Sequence, residues 1–145
     1  MAIDIPKTGT HASVVPLGED PDGTMQAPDD PDTVGWYQLG MGIGTPGNAL
    51  LDGHVDWAGR LRVFGLLRTL KPGDAVQLTD DSGNLLTYAV SWIKLYDADS
   101  APLDEIFAPS DPSDEEITLI TCGGAFDPSI QMYVSRWVVR AVRTT

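Results

Sequence analysis

A mainly β domain, an antiparallel barrel or sandwich, is what this 145-residue sequence predicts. Short β-branched or alternating runs follow one another along the chain, turn residues (Gly, Pro, Asp, Asn) separate them, and one segment only has helical spacing. The length fits a single domain over residues 1–145, large enough to bury a real core. Hydrophobic residues at 42% and charged residues at 21% are ordinary for a folded protein and exclude a disordered or fibrous chain.

Residues 12–17 read as a strand, and Glu19-Asp20-Pro21-Asp22-Gly23 as a turn, because Pro fixes φ and Gly tolerates positive φ. Met25 and Gln26 then begin a return strand. Residues 28–33 hold two prolines among aspartates, too few donors and too much charge for a central strand, and read as a loop. Trp36 and Tyr37 are expected to cover one end of the core. After the glycine-rich stretch 40–47, residues 48–54 form a compact buried strand with His54 at its exit, which puts the imidazole at a rim.

Leu61, Phe64, Leu67 and Leu70 recur at helical spacing, and Lys71-Pro72-Gly73 stops the pattern, so one short amphipathic helix is predicted. Residues 75–79 and 85–96 read as a hairpin around Asp80-Asp81-Ser82-Gly83-Asn84. The acidic connection 97–116, with three prolines, is long enough to suggest a ligand-binding loop. Residues 117–122 and 132–142 are the last two strands, joined by a loop over 123–131.

Nine Lys and Arg against 21 Asp and Glu give a net charge of −12, which repels phosphate backbones and anionic membrane surfaces, so nucleic acid is not an expected partner. Cys122 is the only cysteine, which excludes an intramolecular disulfide and a zinc site built on several thiolates. No stretch approaches the ~20 apolar residues of a membrane helix, and the N-terminus lacks a signal-peptide pattern. Met1 and Ala2 run straight into an apparent domain edge at Ile3-Asp4-Ile5-Pro6, so any leader or anchor would lie outside these residues.

Period-two alternation puts Thr118, Ile120 and Cys122 on one face of their strand, with the thiol at its end, and Met132, Val134, Arg136 and Val138 on one face of the next. If the two strands pair antiparallel, Cys122 and Arg136 lie near each other, and a cation there favours the thiolate, the reactive form. His54 must be brought close by the fold. A cysteine with an activating histidine can attack an acyl carbon, the imidazolium can protonate the leaving amine, and Arg can stabilise an oxyanion.

By pattern alone, a lone Cys on an apolar strand is more often inert core, and an Arg on a strand more often faces solvent. Asp52 and Asp56 flank His54 and are candidates to orient its ring, with Asp56 slightly favoured; a solvated turn carboxylate is the commoner role for both. His11, near an edge strand, reads as a surface residue.

Taken together, Thr118-Leu119-Ile120-Thr121-Cys122 resembles the TLxTC signature of the sortases, Gly53-His54-Val55-Asp56 resembles that family's histidine motif, and Arg136 matches its third essential residue. The ordered matching runs from Ile5-Pro6-Lys7-Thr8-Gly9 through Asn48-Ala49-Leu50 to Arg136-Trp137-Val138-Val139. The resemblance implies an all-β, closed eight-stranded barrel with one or two short helices. It implies a cysteine transpeptidase that cleaves an LPxTG-like sorting signal after Thr through a thioester and transfers the acyl group to a cell-wall peptidoglycan precursor amine. His54 is then general acid and base, Cys122 the nucleophile and Arg136 a donor to the carbonyl or oxyanion. Thr121 shapes the pocket, and Ile106 and Phe107, in the loop that walls the groove, supply apolar contacts.

The segment 28–36 and the short N-terminal part resemble the class E or class F sortases of actinobacteria more than pilin polymerases. The family implies a place at the extracellular face of the membrane of a Gram-positive-type bacterium, through an N-terminal anchor that these residues lack. A monomer without cofactor is expected. Calcium is bound in part of the family, but the carboxylates between Asp97 and Glu116 lack an EF-hand spacing, and no metal site is expected. A cysteine hydrolase of the same fold and a non-catalytic β-barrel binding module are the alternatives.

Overall fold

The structure, a computed structural model, describes the chain except residues 24–25, 58–59, 98–99, 101, 128–131 and 145, and its side chains except also those of residues 56–57, 103, 122–127 and 132–134. The elements in chain order are β1 (Ala2–Ile5), β2 (Thr10–Leu17), β3 (Val34–Tyr37), β4 (Gly47–Asp52), β5 (Asp56–Trp57), β6 (Arg60–Leu61), β7 (Ala75–Thr79), β8 (Leu85–Asp97), α1 (Leu103–Phe107), β9 (Glu115–Asp127) and β10 (Met132–Arg143). Among the described residues, eight strands close into a barrel in the order β1-β2-β3-β4-β9-β10-β8-β7, with β5 and β6 forming a separate two-stranded ribbon. The expected closed eight-stranded architecture is therefore present.

Alternation explains which face is inside. Ile3 and Ile5 of β1, Val76 and Leu78 of β7, Ile117 and Leu119 of β9, and Val139 and Ala141 of β10 all fill one core. Each fully buried Val, Leu or Ile contributes roughly 1.5–3 kcal/mol relative to exposure. The opposite parity of β9 and β10 points outward, yet Thr118 and Arg140 there are buried as well, because the connection carrying α1 lies over them.

Several elements differ from the sequence reading. Trp36 and Tyr37 belong to β3, which pairs parallel to β2 and antiparallel to β4, where Trp36 opposes Leu51. Gln26 is in no strand, and Met25 lies outside the described residues. The β4–β9 pairing is also parallel. A hairpin-based reading misses parallel neighbours because their connections are long and leave no turn signal.

The helix expected around 61–70 is reduced to a 3₁₀ turn over Leu67–Thr69, and Leu61 is exposed in β6. Phe64, Leu67 and Leu70 are spaced by three, the 3₁₀ repeat, and all three are buried in the core. Gly73 (φ +95°) ends the segment as expected.

Residues 123–131 are not one loop. β9 continues to Asp127 and pairs Phe126 with Tyr133 and Asp127 with Met132, with a register shift between Tyr133 and Ser135. Gly123 and Gly124 do not end the strand, because a ladder uses backbone groups, which glycine supplies like any other residue.

Candidate active site

β4 delivers His54. Its last residue, Asp52, is the parallel partner of Ile120, and the two residues that follow leave the barrel end. Gly53 is tied to β9 on both sides: its N–H donates to the Ile120 carbonyl at 3.2 Å, and its carbonyl accepts from Thr121 Oγ1 at 2.7 Å. The neck of His54 is thus fastened to the two residues that precede Cys122.

A glycine is needed there because of close packing. A Cβ at position 53 would lie 2.8 Å from both Phe64 Cδ2 and Val63 Cγ1. Gly53→Ala is expected to destabilise the fold by about 1–3 kcal/mol through overpacking. Because the shift passes directly to His54, it should lower turnover on the order of 10²-fold, as a 1 Å misplacement can. Urea denaturation and peptide-cleavage kinetics on one preparation check both.

The His54 side chain is half-buried, and its Nε2 lies 2.7 Å from the Pro28 carbonyl oxygen. A carbonyl only accepts, so Nε2 is the donor in this contact. The segment 28–33, expected as a plain loop, therefore orients the imidazole through a backbone atom, for which a sequence holds no signal. Asp56, the other orienting candidate, has its side chain outside the described residues.

Asp52 does not behave as a solvated turn carboxylate. Its Oδ1 is buried without a hydrogen-bond partner among the described residues, and burial pushes its pKa from 3.8 up to about 7, against a smaller lowering by its own backbone N–H. Gly35 on β3 makes the space: a Cβ there would sit 2.7 Å from Asp52 Oδ1.

Cys122 on β9 and Arg136 on β10 are direct Cα partners in the antiparallel ladder, and Tyr96 on β8 is the next partner of Arg136. The antiparallel pairing on which their proximity was conditional is thus present. With neighbouring strands ~4.8 Å apart, the strand that ends near His54 and the strand of Arg136 are about 10 Å apart, with that of Cys122 between them. Arg136 is half-buried and donates from Nη1 to the Ser135 carbonyl at 3.0 Å. The Cys122 side chain lies outside the described residues.

Thr121 is buried, and its hydroxyl bridges to Gly53, so it holds the two strand ends together. Of the two apolar residues expected to line a groove, Phe107 is 46% exposed and Ile106 only 3%. Phe107 has surface to offer a ligand, whereas Ile106 seats α1 on the barrel. His11, paired with Asp4 at 2.5 Å, is on the surface as expected. Among the described residues, no cluster of three or more His, Cys, Asp or Glu could hold a metal ion.

A family model described as Sortase domain matches residues 3–144. Among solved structures, the chain is similar to the lid mutant of sortase A from Corynebacterium diphtheriae, with 26% identity and a TM-score of 0.74 over 99% of this chain and 69% of that one. A second structure of sortase A from Corynebacterium diphtheriae matches at 26% identity and a TM-score of 0.71, covering 99% of this chain and 60% of that one. Streptococcus agalactiae sortase C1, solved in complex with MTSET, shares the fold at 19% identity and a TM-score of 0.74, over 99% of this chain and 66% of that one. The chain thus spans between 60% and 69% of the length of these three. No curated protein matches it.

Proposed function

Because the chain belongs to the sortase family, whose members are cysteine transpeptidases, we propose that it cleaves an LPxTG-like sorting signal after Thr and transfers the acyl group to a cell-wall amine. The observation that carries this reading is the double fastening of Gly53 to Ile120 and Thr121, beside the Cys122–Arg136 pair. This fastening supports a site in which His54, Cys122 and Arg136 act together at one end of the barrel.

The Cys122 thiolate attacks the Thr carbonyl carbon, and the charge that develops on oxygen is met by Arg136. Collapse breaks the C–N bond, the His54 imidazolium gives its proton to the leaving amine, and a thioester remains. His54, now neutral, takes a proton from the incoming amine as that nitrogen attacks; the C–S bond breaks and a new peptide bond forms. Thr121 holds the thiol's strand against the histidine neck. The α1 segment forms the groove wall, with Phe107 toward the ligand and Ile106 behind it.

Sortases act at the cell surface of Gram-positive bacteria. No helix among the described residues is long and apolar enough to cross a membrane. A position on the extracellular face of the membrane, and a class E or class F character suggested by the segment 28–36, belong to this proposal.

Mass spectrometry of an LPxTG-like peptide incubated with and without an added amine tests it. The expected result is a ligated product, in quantity, only when the amine is present. Release of free acid at the same rate in both would replace the transpeptidase with a hydrolase.

A further inference from the structure

Four residues along from the Cys122–Arg136 pair, the same strands carry a second cluster, which takes no part in bond making. Arg140 on β10 is the Cα partner of Thr118 on β9 and of Trp92 on β8. Its guanidinium donates from Nε to Thr118 Oγ1 at 2.8 Å, from Nη1 to Glu116 Oε1 at 2.8 Å, and from Nη2 to the Ile106 carbonyl at 2.8 Å. Glu116 in turn accepts from the backbone N–H groups of Ser110 and Asp111, both at 3.0 Å. From the other side, Asn48 Nδ2 on β4 donates to the carbonyls of Ile106 at 3.0 Å and Phe107 at 3.1 Å, while its Oδ1 accepts from Thr118 at 2.7 Å.

The Arg140 and Glu116 side chains are 1% and 0% exposed. Burial alone would raise the Glu116 pKa, but the N–H groups of Ser110 and Asp111 and the Arg140 guanidinium outweigh it, and the carboxylate is held below its ordinary range. Such a pair adds little net stability over apolar residues of the same volume, so stability does not account for it. What it does is local: these contacts reach the wall segment 102–114. Among the described residues of that segment, Ile106 is the one buried apolar side chain. A segment with so little apolar anchorage opens readily unless polar contacts hold it.

At ~3.3 Å per residue, the four positions from Arg136 to Arg140 span about 13 Å, the length of about four residues of an extended peptide. We propose that Arg140, with Glu116 and Asn48, positions the groove wall and thereby sets recognition of the apolar residue of the donor peptide farthest from its scissile bond. This rests on the transpeptidase reading above. Arg140 is a positioning residue: it touches the wall, while the reacting atoms lie at the other end of the groove.

The test uses Arg140→Met/Glu116→Leu, which removes both charges together so that neither stays buried alone, and Asn48→Ser, which removes the two carbonyl bonds from the opposite side together with the acceptor for Thr118. In variants that melt cooperatively, backbone hydrogen exchange over 102–114 should quicken tenfold or more. KM for an LPxTG-like peptide should rise about tenfold while kcat stays within about twofold, and preference for an apolar over a polar first residue should fall by a similar factor. Arg140→Lys should restore part of each effect. Unchanged exchange and KM in a folded variant, or a fall in kcat at constant KM, would overturn the proposal. If the unsubstituted protein leaves the peptide intact, the transpeptidase reading fails instead; fluorescence anisotropy with labelled peptide then reads the clamp through the same tenfold change in Kd.

Discussion

Cys122→Ala should lower cleavage of an LPxTG-like peptide by about 10⁴-fold or more. The size of the effect follows from composition. Cys122 is the only thiol in the chain, so no neighbouring sulfur can take over the attack. His54 and the Arg136 guanidinium remain, but neither forms a thioester, and the residual rate is what binding and oxyanion stabilisation supply without a nucleophile. The substitution lies within the β9–β10 ladder, which continues past it to Asp127 and Met132 and whose hydrogen bonds are made by backbone groups. The β signature in circular dichroism and the melting temperature should therefore change little. Turnover retained in a folded Cys122→Ala protein would remove the nucleophile from the mechanism and the mechanism with it.

The second large effect concerns Asp52 and pH. Its carboxyl has a pKa of about 7 in the folded chain, against 3.8 for the ordinary group, because burial penalises the charged form. A raised carboxyl pKa means that the folded state holds the proton more tightly than the unfolded state. Between about pH 4 and pH 7 the folded protein carries more protons at this site, so stability falls as pH rises and levels off above pH 7. A shift of this size corresponds to at most about 4 kcal/mol, less where water reaches the group. Asp52→Asn is neutral at every pH, so its stability relative to the unsubstituted protein should improve by up to about 4 kcal/mol from pH 4 to pH 8. Urea midpoints across that range measure it; parallel curves for the two proteins would contradict the burial argument.

The same carboxyl bears on the reaction. Asp52 stands two residues before His54 and pairs in register with Ile120, two residues before Cys122. A negative charge there favours imidazolium but disfavours thiolate. A pH profile of kcat/KM for Asp52→Asn against the unsubstituted chain separates the two influences.

The β-rich class and the facing of Arg136 were legible in the sequence because period two is a local property: alternation in 117–122 and 132–138 fixes the face before any neighbour is known; the strand end expected at Cys122 was not, since β9 runs on to Asp127. The hairpin 75–96 was legible through its Asp-rich turn. The sortase motifs around His54 and Cys122 were legible because they occupy consecutive residues.

The parallel partnerships of β3 with β2 and of β4 with β9 were not legible, and the second fastens the neck of His54 to the backbone of Ile120 and the hydroxyl of Thr121. Nor were the Pro28 carbonyl beside the imidazole, the buried Asp52, or the Arg140–Glu116–Asn48 clamp. Each joins groups that are remote along the chain, and a carbonyl is the same in every residue, so no pattern of side chains announces it. The chain alone determined which residues have reactive chemistry and which strand face each occupies. Closure of the barrel decided which of them meet and how far each is removed from water, because distance and dielectric are properties of the packed molecule.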